Sequence, residues 1–92
     1  MAKPVVHFEL WSKNPQQVSD FYRNVFEWNI QHIPEMDYHL ITPDESGGIG
    51  GGIMTPKEGP WPGNMAFYID VEDIKPYHEK ITTQGGKILI PL

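Results

Sequence analysis

A strand–helix–strand pattern occurs twice along this chain, and this repeat limits the folds open to it more than any other feature. The pattern runs through residues 5–11, 15–26 and 28–33 in the first copy, and through 65–71, 73–84 and 87–90 in the second. The first copy continues through two more strand-like runs before the second begins. The repeat therefore predicts a paired fold whose second half is shorter than its first.

The repeat also sets the expected domain organisation. With 92 residues the chain is long enough for one domain. We divide it into a first module at about 4–55, a linker at 56–63 and an incomplete second module at 64–92. The second module lacks counterparts of residues 37–54, which are its last two strands. Three explanations are open: the sequence is a fragment of a longer protein, a tail is absent from it, or another subunit completes the open edge of the sheet. Because an exposed sheet edge favours pairing, we expect a homodimer.

Composition and charge exclude several classes of function. The net charge of −5 and the single arginine, Arg23, argue against binding to nucleic acid, phosphate or anionic membranes. The chain has no cysteine, which excludes disulfides, thiolate metal sites and a cysteine nucleophile. No apolar run approaches membrane-spanning length and no signal region precedes the first strand. We expect a cytoplasmic protein.

The first helix has the clearest local signals. Asn14 is a favourable N-cap and Pro15 a favourable first helical residue. An apolar stripe follows at helical spacing, which predicts packing against a sheet. Its members are Val18, Phe21, Tyr22, Val25 and Phe26, while Gln16, Gln17, Ser19, Asp20 and Asn24 are predicted to face water.

The strand before this helix has two different faces. Val6, Phe8 and Leu10 form an apolar face, which we expect to meet the helix. The opposite face alternates His7, Glu9 and Trp11, a mixture typical of a solvated face or of a cleft. The run 65–71 repeats this division, with Phe67, Ile69 and Val71 on one side and Ala66, Tyr68 and Asp70 on the other. Because both strands have one apolar face and one mixed face, we predict a sheet that curves around a shared concavity.

Strands are also predicted at 38–42 and 49–54, and the second of these is glycine-rich at its centre, which marks a bulge or a close backbone approach. His32 and His39 are predicted to lie at the surface or the rim. Trp61, in the linker, is predicted to anchor packing or to cover the cleft. In the second helix, Asp73 is the expected N-cap and Ile74, Tyr77 and Ile81 the expected buried face.

Taken together, these motifs resemble the glyoxalase/bleomycin resistance/dioxygenase superfamily, the vicinal oxygen chelate fold. They are His7 and Glu9 on the first strand, Asn14-Pro15, Phe21-Tyr22-x-x-x-Phe26-x-Trp28, the glycine-rich fourth strand, Val71-Glu72-Asp73-Ile74 and Gln84-Gly85-Gly86-Lys87. The resemblance implies an α+β fold of paired βαβββ modules, with a curved mixed sheet around a cleft and a second module lacking its last two strands. Members of this family are commonly dimers.

The resemblance also allows a metal site to be checked position by position. The first-strand ligand position of the family falls on His7, and imidazole is a competent ligand there. The fourth-strand position falls near Gly51 or Gly52 and the next on Ala66, none of which offers a donor side chain. The last position would lie on a strand that this sequence does not contain. Because a divalent ion needs several converging donors, we expect no metal cofactor, with His7 as the single candidate ligand.

The remaining alternatives concern chemistry in the cleft. His7 beside Glu9 is a candidate general acid–base pair, although a histidine facing a cleft more often bonds a neighbour such as Glu9 or Tyr68. Residues predicted to line an apolar pocket for a small hydrophobic or aromatic molecule are Trp11, Trp28, Tyr38, Met54 and Tyr68. The sequence therefore favours a small-molecule-binding protein over an enzyme. The alternatives are a metal-dependent lyase, isomerase or dioxygenase using His7, Glu9 and ligands outside this chain, and a truncated dimerisation unit.

Overall fold

The structure is a computed structural model that describes residues 1–59 and 63–91, so Trp61 and its predicted role lie outside the described residues. Its elements are β1 (Val5–Trp11), α1 (Pro15–Phe26), β2 (Asn29–Ile33), β3 (Tyr38–Thr42), β4 (Gly50–Met54), β5 (Met65–Ile69) and α2 (Lys75–Thr83). The predicted α+β architecture is confirmed.

The strands that the structure describes form one open, curved sheet of five, in the order β2-β3-β4-β1-β5. Strand β1 lies at the join between the two halves of the repeat: it pairs with β4 in parallel and with β5 in antiparallel orientation. The β2–β3 hairpin and the β3–β4 pair are antiparallel. The predicted mixed sheet is thus formed, and β1 is an interior strand directly beside the β5 edge.

Helix α1 begins where its sequence signals predict. The Asn14 side chain accepts a hydrogen bond from the Gln17 N–H at 3.4 Å, and Pro15 is the first helical residue. At the other end, Glu27 adopts a left-handed conformation with φ of 60° and its N–H bonds to the Arg23 carbonyl. The Arg23 guanidinium donates to the Ile30 carbonyl at 2.9 Å. The single arginine therefore fixes the helix end to β2, a structural role.

The hydrophobic core lies between α1 and the sheet. Its buried members are Ile30, Ile41 and Ile53, against which Phe8, Leu10, Val18, Tyr22 and Trp28 pack. Phe8 and Leu10 of β1 thus pack on the helix-facing core as predicted, whereas Val6 is 45% exposed and its predicted packing is wrong. Trp28 stacks on Tyr22, with ring centroids 4.5 Å apart, and meets Phe8 edge-on at 5.8 Å.

The orientation of α1 differs from the prediction in one respect. Ser19, predicted to face water, is completely buried, and its hydroxyl donates to the Pro15 carbonyl at 2.8 Å. That bond satisfies the hydroxyl, so its burial leaves no unpaired donor. Phe21, Val25 and Phe26 are in turn more than half exposed. The buried face of the helix is centred on Ser19 and Tyr22, and the predicted core role of these three apolar residues is wrong.

The second half of the repeat is less regular than predicted. The expected strand at 87–90 is not formed, and α2 begins at Lys75 with Ile74 at its N-cap, while Asp73 accepts from the Lys75 N–H at 3.1 Å. Ile74 is 56% and Ile81 41% exposed, so their predicted burial is wrong. The sheet, as far as the structure describes it, ends at β5 and offers α2 no strand to cover. No helix in the described ranges is long and apolar enough to cross a membrane.

Candidate functional site

The candidate site is built around Glu9, a buried carboxylate on β1, between β4 and β5, on the face of the sheet opposite α1. Glu9 is only 7% exposed. Its register partners are Gly52 on β4 and Ala66 on β5, two of the smallest residues available. Because neither neighbour carries a long side chain, space remains on this face for polar groups that arrive from farther away in the sequence.

Three neutral groups among the described residues donate hydrogen bonds to this carboxylate. The Trp11 indole N–H reaches Oε1 at 2.8 Å, and the hydroxyls of Tyr38 and Tyr68 reach Oε2 at 2.9 and 3.1 Å. An isolated buried carboxylate would be strongly unfavourable, whereas hydrogen bonds to the charged form stabilise it. The donors therefore account for how β1 can carry a glutamate at a buried position.

Among the three donors, Tyr38 is the hardest to predict from the sequence. It lies on β3, two strands away from β1, and its ring passes over Gly52 to reach Glu9. A β-carbon at position 52 would collide with the tyrosine ring and hydroxyl. The glycine that offers no metal donor in β4 thus makes room for a phenol that bonds Glu9 directly.

His7 extends this cluster toward solvent. Its Nε2 lies 2.8 Å from the Tyr38 hydroxyl, and its ring meets the edge of Tyr68 with centroids 5.1 Å apart. The one hydroxyl proton of Tyr38 is donated to Glu9, so the Nε2–H of His7 must donate to the Tyr38 oxygen. His7, Tyr38 and Glu9 therefore form a directional chain, and His7 contacts Glu9 through a phenol rather than directly.

Both tyrosines are held in their neutral form. Burial raises the pKa of Tyr38, and its hydrogen bond to Glu9 and the glutamate charge raise it further. The pKa of Tyr68 is raised by burial and then by the charge and hydrogen bond of Glu9. The two hydroxyls therefore stay protonated donors throughout the neutral range.

A cleft of about 570 Å³ opens beside Glu9 on this face of the sheet. Its walls are predominantly apolar, with Lys57 at one side. Trp11, Met54, Met65, Tyr68, Leu89 and Ile90 supply most of the lining. The strand signals of β1 and β5 place Trp11 and Tyr68 here, whereas Leu89 and Ile90 reach the cleft from an irregular segment that follows α2.

The structure divides the five predicted pocket residues. Trp11, Met54 and Tyr68 line the cleft, and Tyr38 belongs to the hydrogen-bonded cluster at its floor. Trp28 lies on the other face of the sheet, in the core beside Tyr22. Sequence reasoning missed Met65, Leu89 and Ile90, because alternation along β5 and the tail does not by itself show which residues converge.

The predicted acid–base pair and the candidate metal ligand are both part of the cluster. Within residues 1–59 and 63–91, no group of three or more His, Asp or Glu side chains is arranged to hold a metal ion. The Nε2 of His7 is engaged by Tyr38, and both Glu9 oxygens accept hydrogen bonds. This donor set fits a closed hydrogen-bond network better than a metal centre.

A second titratable cluster lies on the helix-facing side of the sheet. His32 and His39 are register partners with stacked rings 4.5 Å apart, and Asp37 lies 3.3 Å from His32 Nε2. His39 is 3% exposed, so its predicted surface position is wrong, and its Nδ1 has no hydrogen-bond partner in the described part of the chain. Burial, followed by the nearby His32, lowers the pKa of His39. The ring is therefore buried in its neutral form.

Comparison with known proteins adds a family and a related fold. The sequence profile of the glyoxalase/bleomycin resistance protein/dioxygenase superfamily matches residues 5–92. A solved structure of a member of this superfamily from Vibrio splendidus 12B01 superimposes with a TM-score of 0.63. It is 21% identical, and the match covers 91% of this chain and 70% of the other. At this identity the likeness concerns the fold. A comparison with curated proteins found no match.

Proposed function

Since the chain belongs to the glyoxalase/bleomycin resistance protein/dioxygenase superfamily, we propose that it binds a small molecule in the cleft beside Glu9, without using a bound metal. The ligand has an apolar or aromatic body. The cleft volume of about 570 Å³ falls within the range of pockets that enclose small molecules. Apolar walls with a few convergent polar groups are typical of such pockets.

The observation that carries this proposal is that the carboxylate of Glu9 is already hydrogen-bonded within the protein. Its carboxylate already accepts from Trp11, Tyr38 and Tyr68. A metal ion bound there would have to displace these donors, and the neighbouring register positions are Gly52 and Ala66, which supply no ligand atoms in exchange. The same bonds hold Trp11 and Tyr68 in fixed positions along the cleft, which lowers the ordering cost of binding.

Ligand-induced thermal stabilisation tests the proposal. A library of apolar and aromatic compounds is expected to contain members that raise the melting temperature, because binding to the folded state alone stabilises it. The increase should disappear in Trp11→Ala. It should persist in Phe21→Ala, which removes an exposed ring on α1. A library without any stabilising member, or stabilisation that survives Trp11→Ala, would count against the cleft as a binding site.

The competing function is a metal-dependent lyase, isomerase or dioxygenase that uses His7 and Glu9 with ligands from outside this chain. Metal analysis of purified protein separates it from the binding function. Stoichiometric iron, manganese, nickel or zinc that is lost on His7→Ala would overturn the metal-free proposal. We expect no such stoichiometry, and no change in melting temperature on treatment with a chelator.

We also propose that the protein is a homodimer. Support comes from β5, which forms one edge of the described sheet and exposes apolar side chains. Met65, Phe67 and Ile69 are each more than half exposed on this strand. An unpaired apolar edge favours pairing with another strand, and a second copy offers the same edge across a two-fold axis.

A further inference from the structure

The Glu9 carboxylate accepts several hydrogen bonds but forms no ion pair with another residue that the structure describes. Its hydrogen-bond partners among the described residues, Trp11, Tyr38 and Tyr68, are all neutral donors. The described ion pairs join Arg23 to Asp20 and His32 to Asp37, away from this site. A negative charge therefore lies at the floor of an apolar cleft.

Two of the donors are also walls of that cleft. The rings of Trp11 and Tyr68 line it, and their polar atoms are bound to the glutamate. Donation of a hydrogen bond to an anion increases the electron density of the aromatic ring, and electron-rich ring faces attract cations. Met54 and Met65 add polarisable sulfur atoms to the same lining. Apart from Lys57, the aromatic walls and the Glu9 floor thus favour a positively charged ligand.

A neutral ligand would displace water from the cleft and would offer no positive charge to the Glu9 carboxylate in its place. Removing water from beside a carboxylate is unfavourable unless another group takes its place. A ligand cation compensates this loss through attraction to the carboxylate and the ring faces, and it brings apolar substituents into the cleft. The chain's net charge of −5 also raises the local concentration of cations during encounter.

We propose, building on the binding function above, that this cleft selects organic cations, in particular substituted ammonium groups carried on an apolar or aromatic body. The carboxylate of Glu9 supplies the counter-charge, and Trp11 and Tyr68 supply the cation–π faces. Lys57 lies on the cleft wall, where its positive charge repels a bound cation. Replacing Lys57 therefore tests how much charge contributes to the affinity for the cation.

The test compares ligands that differ in charge but not in shape. Phenyltrimethylammonium and tert-butylbenzene are a matched cation and neutral molecule, and benzenesulfonate serves as the anion. Dissociation constants come from NMR chemical-shift titration of the purified protein at low and high salt. We expect the cation to bind about tenfold more tightly than its neutral counterpart, which corresponds to about 1.4 kcal/mol, with the difference reduced by added salt.

Two variants assign the selectivity to named charges. Glu9→Gln should reduce the preference for the cation to less than about threefold. Lys57→Gln, which leaves the Glu9 cluster intact, should tighten cation binding while leaving tert-butylbenzene unchanged, and it keeps the test valid if Glu9→Gln fails to fold.

The outcomes separate the two proposals. Equal binding of cation and neutral molecule would overturn cation selectivity and leave small-molecule binding standing. Tighter binding of the anion, or no response of cation affinity to Lys57→Gln, would also overturn it. Failure of every probe to bind, together with a library that stabilises nothing, would overturn both.

Discussion

The ring of Tyr38 lies over the backbone of Gly52, in the space that a β-carbon at position 52 would occupy. This relationship links two features that are separate in the sequence, the glycine-rich β4 and the buried Glu9. Only a glycine at position 52 lets the Tyr38 hydroxyl come within 2.9 Å of the Glu9 carboxylate. The glycine is therefore required by a close approach between side chain and backbone.

Gly52→Ala should consequently destabilise the protein. The added methyl group displaces Tyr38, because it would overlap both the hydroxyl and the ring of this residue, and the hydroxyl is held by Glu9 and His7. We expect a loss of about 1–3 kcal/mol in the free energy of unfolding, as for overpacking at other tight sites. Denaturant titration of the variant and the parent measures the difference.

A double-mutant cycle provides the control for Gly52→Ala. In a Tyr38→Ala background the ring is absent, so adding Gly52→Ala should cost much less than it does alone. An equal cost in both backgrounds would show that the strain arises from the β4 backbone and not from the Tyr38 ring.

The Tyr38 hydroxyl should contribute more to stability than that of another partly buried tyrosine. Tyr38→Phe removes a donor to a buried carboxylate and an acceptor for His7, so we expect a loss of about 1.5–3 kcal/mol. Tyr22→Phe is the matched control, because no described residue bonds its hydroxyl while its ring packs on the core. Equal losses from the two variants would refute the network around Glu9.

Alkaline titration reports the charge of Glu9. Burial and Glu9 together raise the pKa of Tyr38 and Tyr68, so these phenols should ionise above the usual value of about 10. Above about pH 10 the unfolded state releases the protons of these two hydroxyls while the folded state still holds them. The free energy of unfolding therefore falls as the pH rises past about 10. Glu9→Gln should shift part of the absorbance change of tyrosine ionisation to lower pH. An unchanged profile would mean that Glu9 does not act on these phenols.

Local features were predicted well from the sequence, and convergent features were not. Asn14 and Pro15 specify the start of α1 through contacts within one helical turn, and β3 matches its prediction because alternation is also local. The bond between Tyr38 and Glu9 spans 29 residues and depends on the register of three strands. The alternation of side chains along a strand predicts which face of the sheet a residue lies on, but it does not predict which residue of another strand it contacts. The exposure of α2 has a different cause, since its predicted apolar face needed strands that the described chain does not provide.

His39 gives the protein a pH dependence on the acid side. The groups that face it are His32 on β2, Asp37 in the hairpin, and Arg23 and Asp20 on α1. Its pKa is lowered by burial in the folded state, so the unfolded state binds the proton more readily. Stability is therefore fully present above the unfolded pKa of about 6.5 and falls as the pH drops below it.

Replacement of this histidine tests that origin. His39→Phe keeps a ring against His32 and removes the titratable group, so unfolding free energies measured between about pH 5 and 8 should depend less on pH than in the parent. His78→Phe, on α2, is the matched control, and the slope should fall more in His39→Phe than in this variant. A slope that survives His39→Phe would assign the acid sensitivity to another group.

The apolar edge of the sheet gives the last prediction, which concerns assembly. Strand β5 exposes Phe67 and Ile69, at 62% and 53%, whereas the opposite edge strand β2 exposes polar residues such as Asn29 and Gln31. If two copies pair along β5, light scattering should give twice the chain mass of 10.5 kDa. Phe67→Glu places like charges close together across the two-fold axis, so it should return the protein to the single-chain mass. Phe21→Glu alters a similarly exposed ring on α1 and should leave the dimer intact. A parent protein of single-chain mass, or a Phe67→Glu variant that still dimerises, would show that β5 is not the interface.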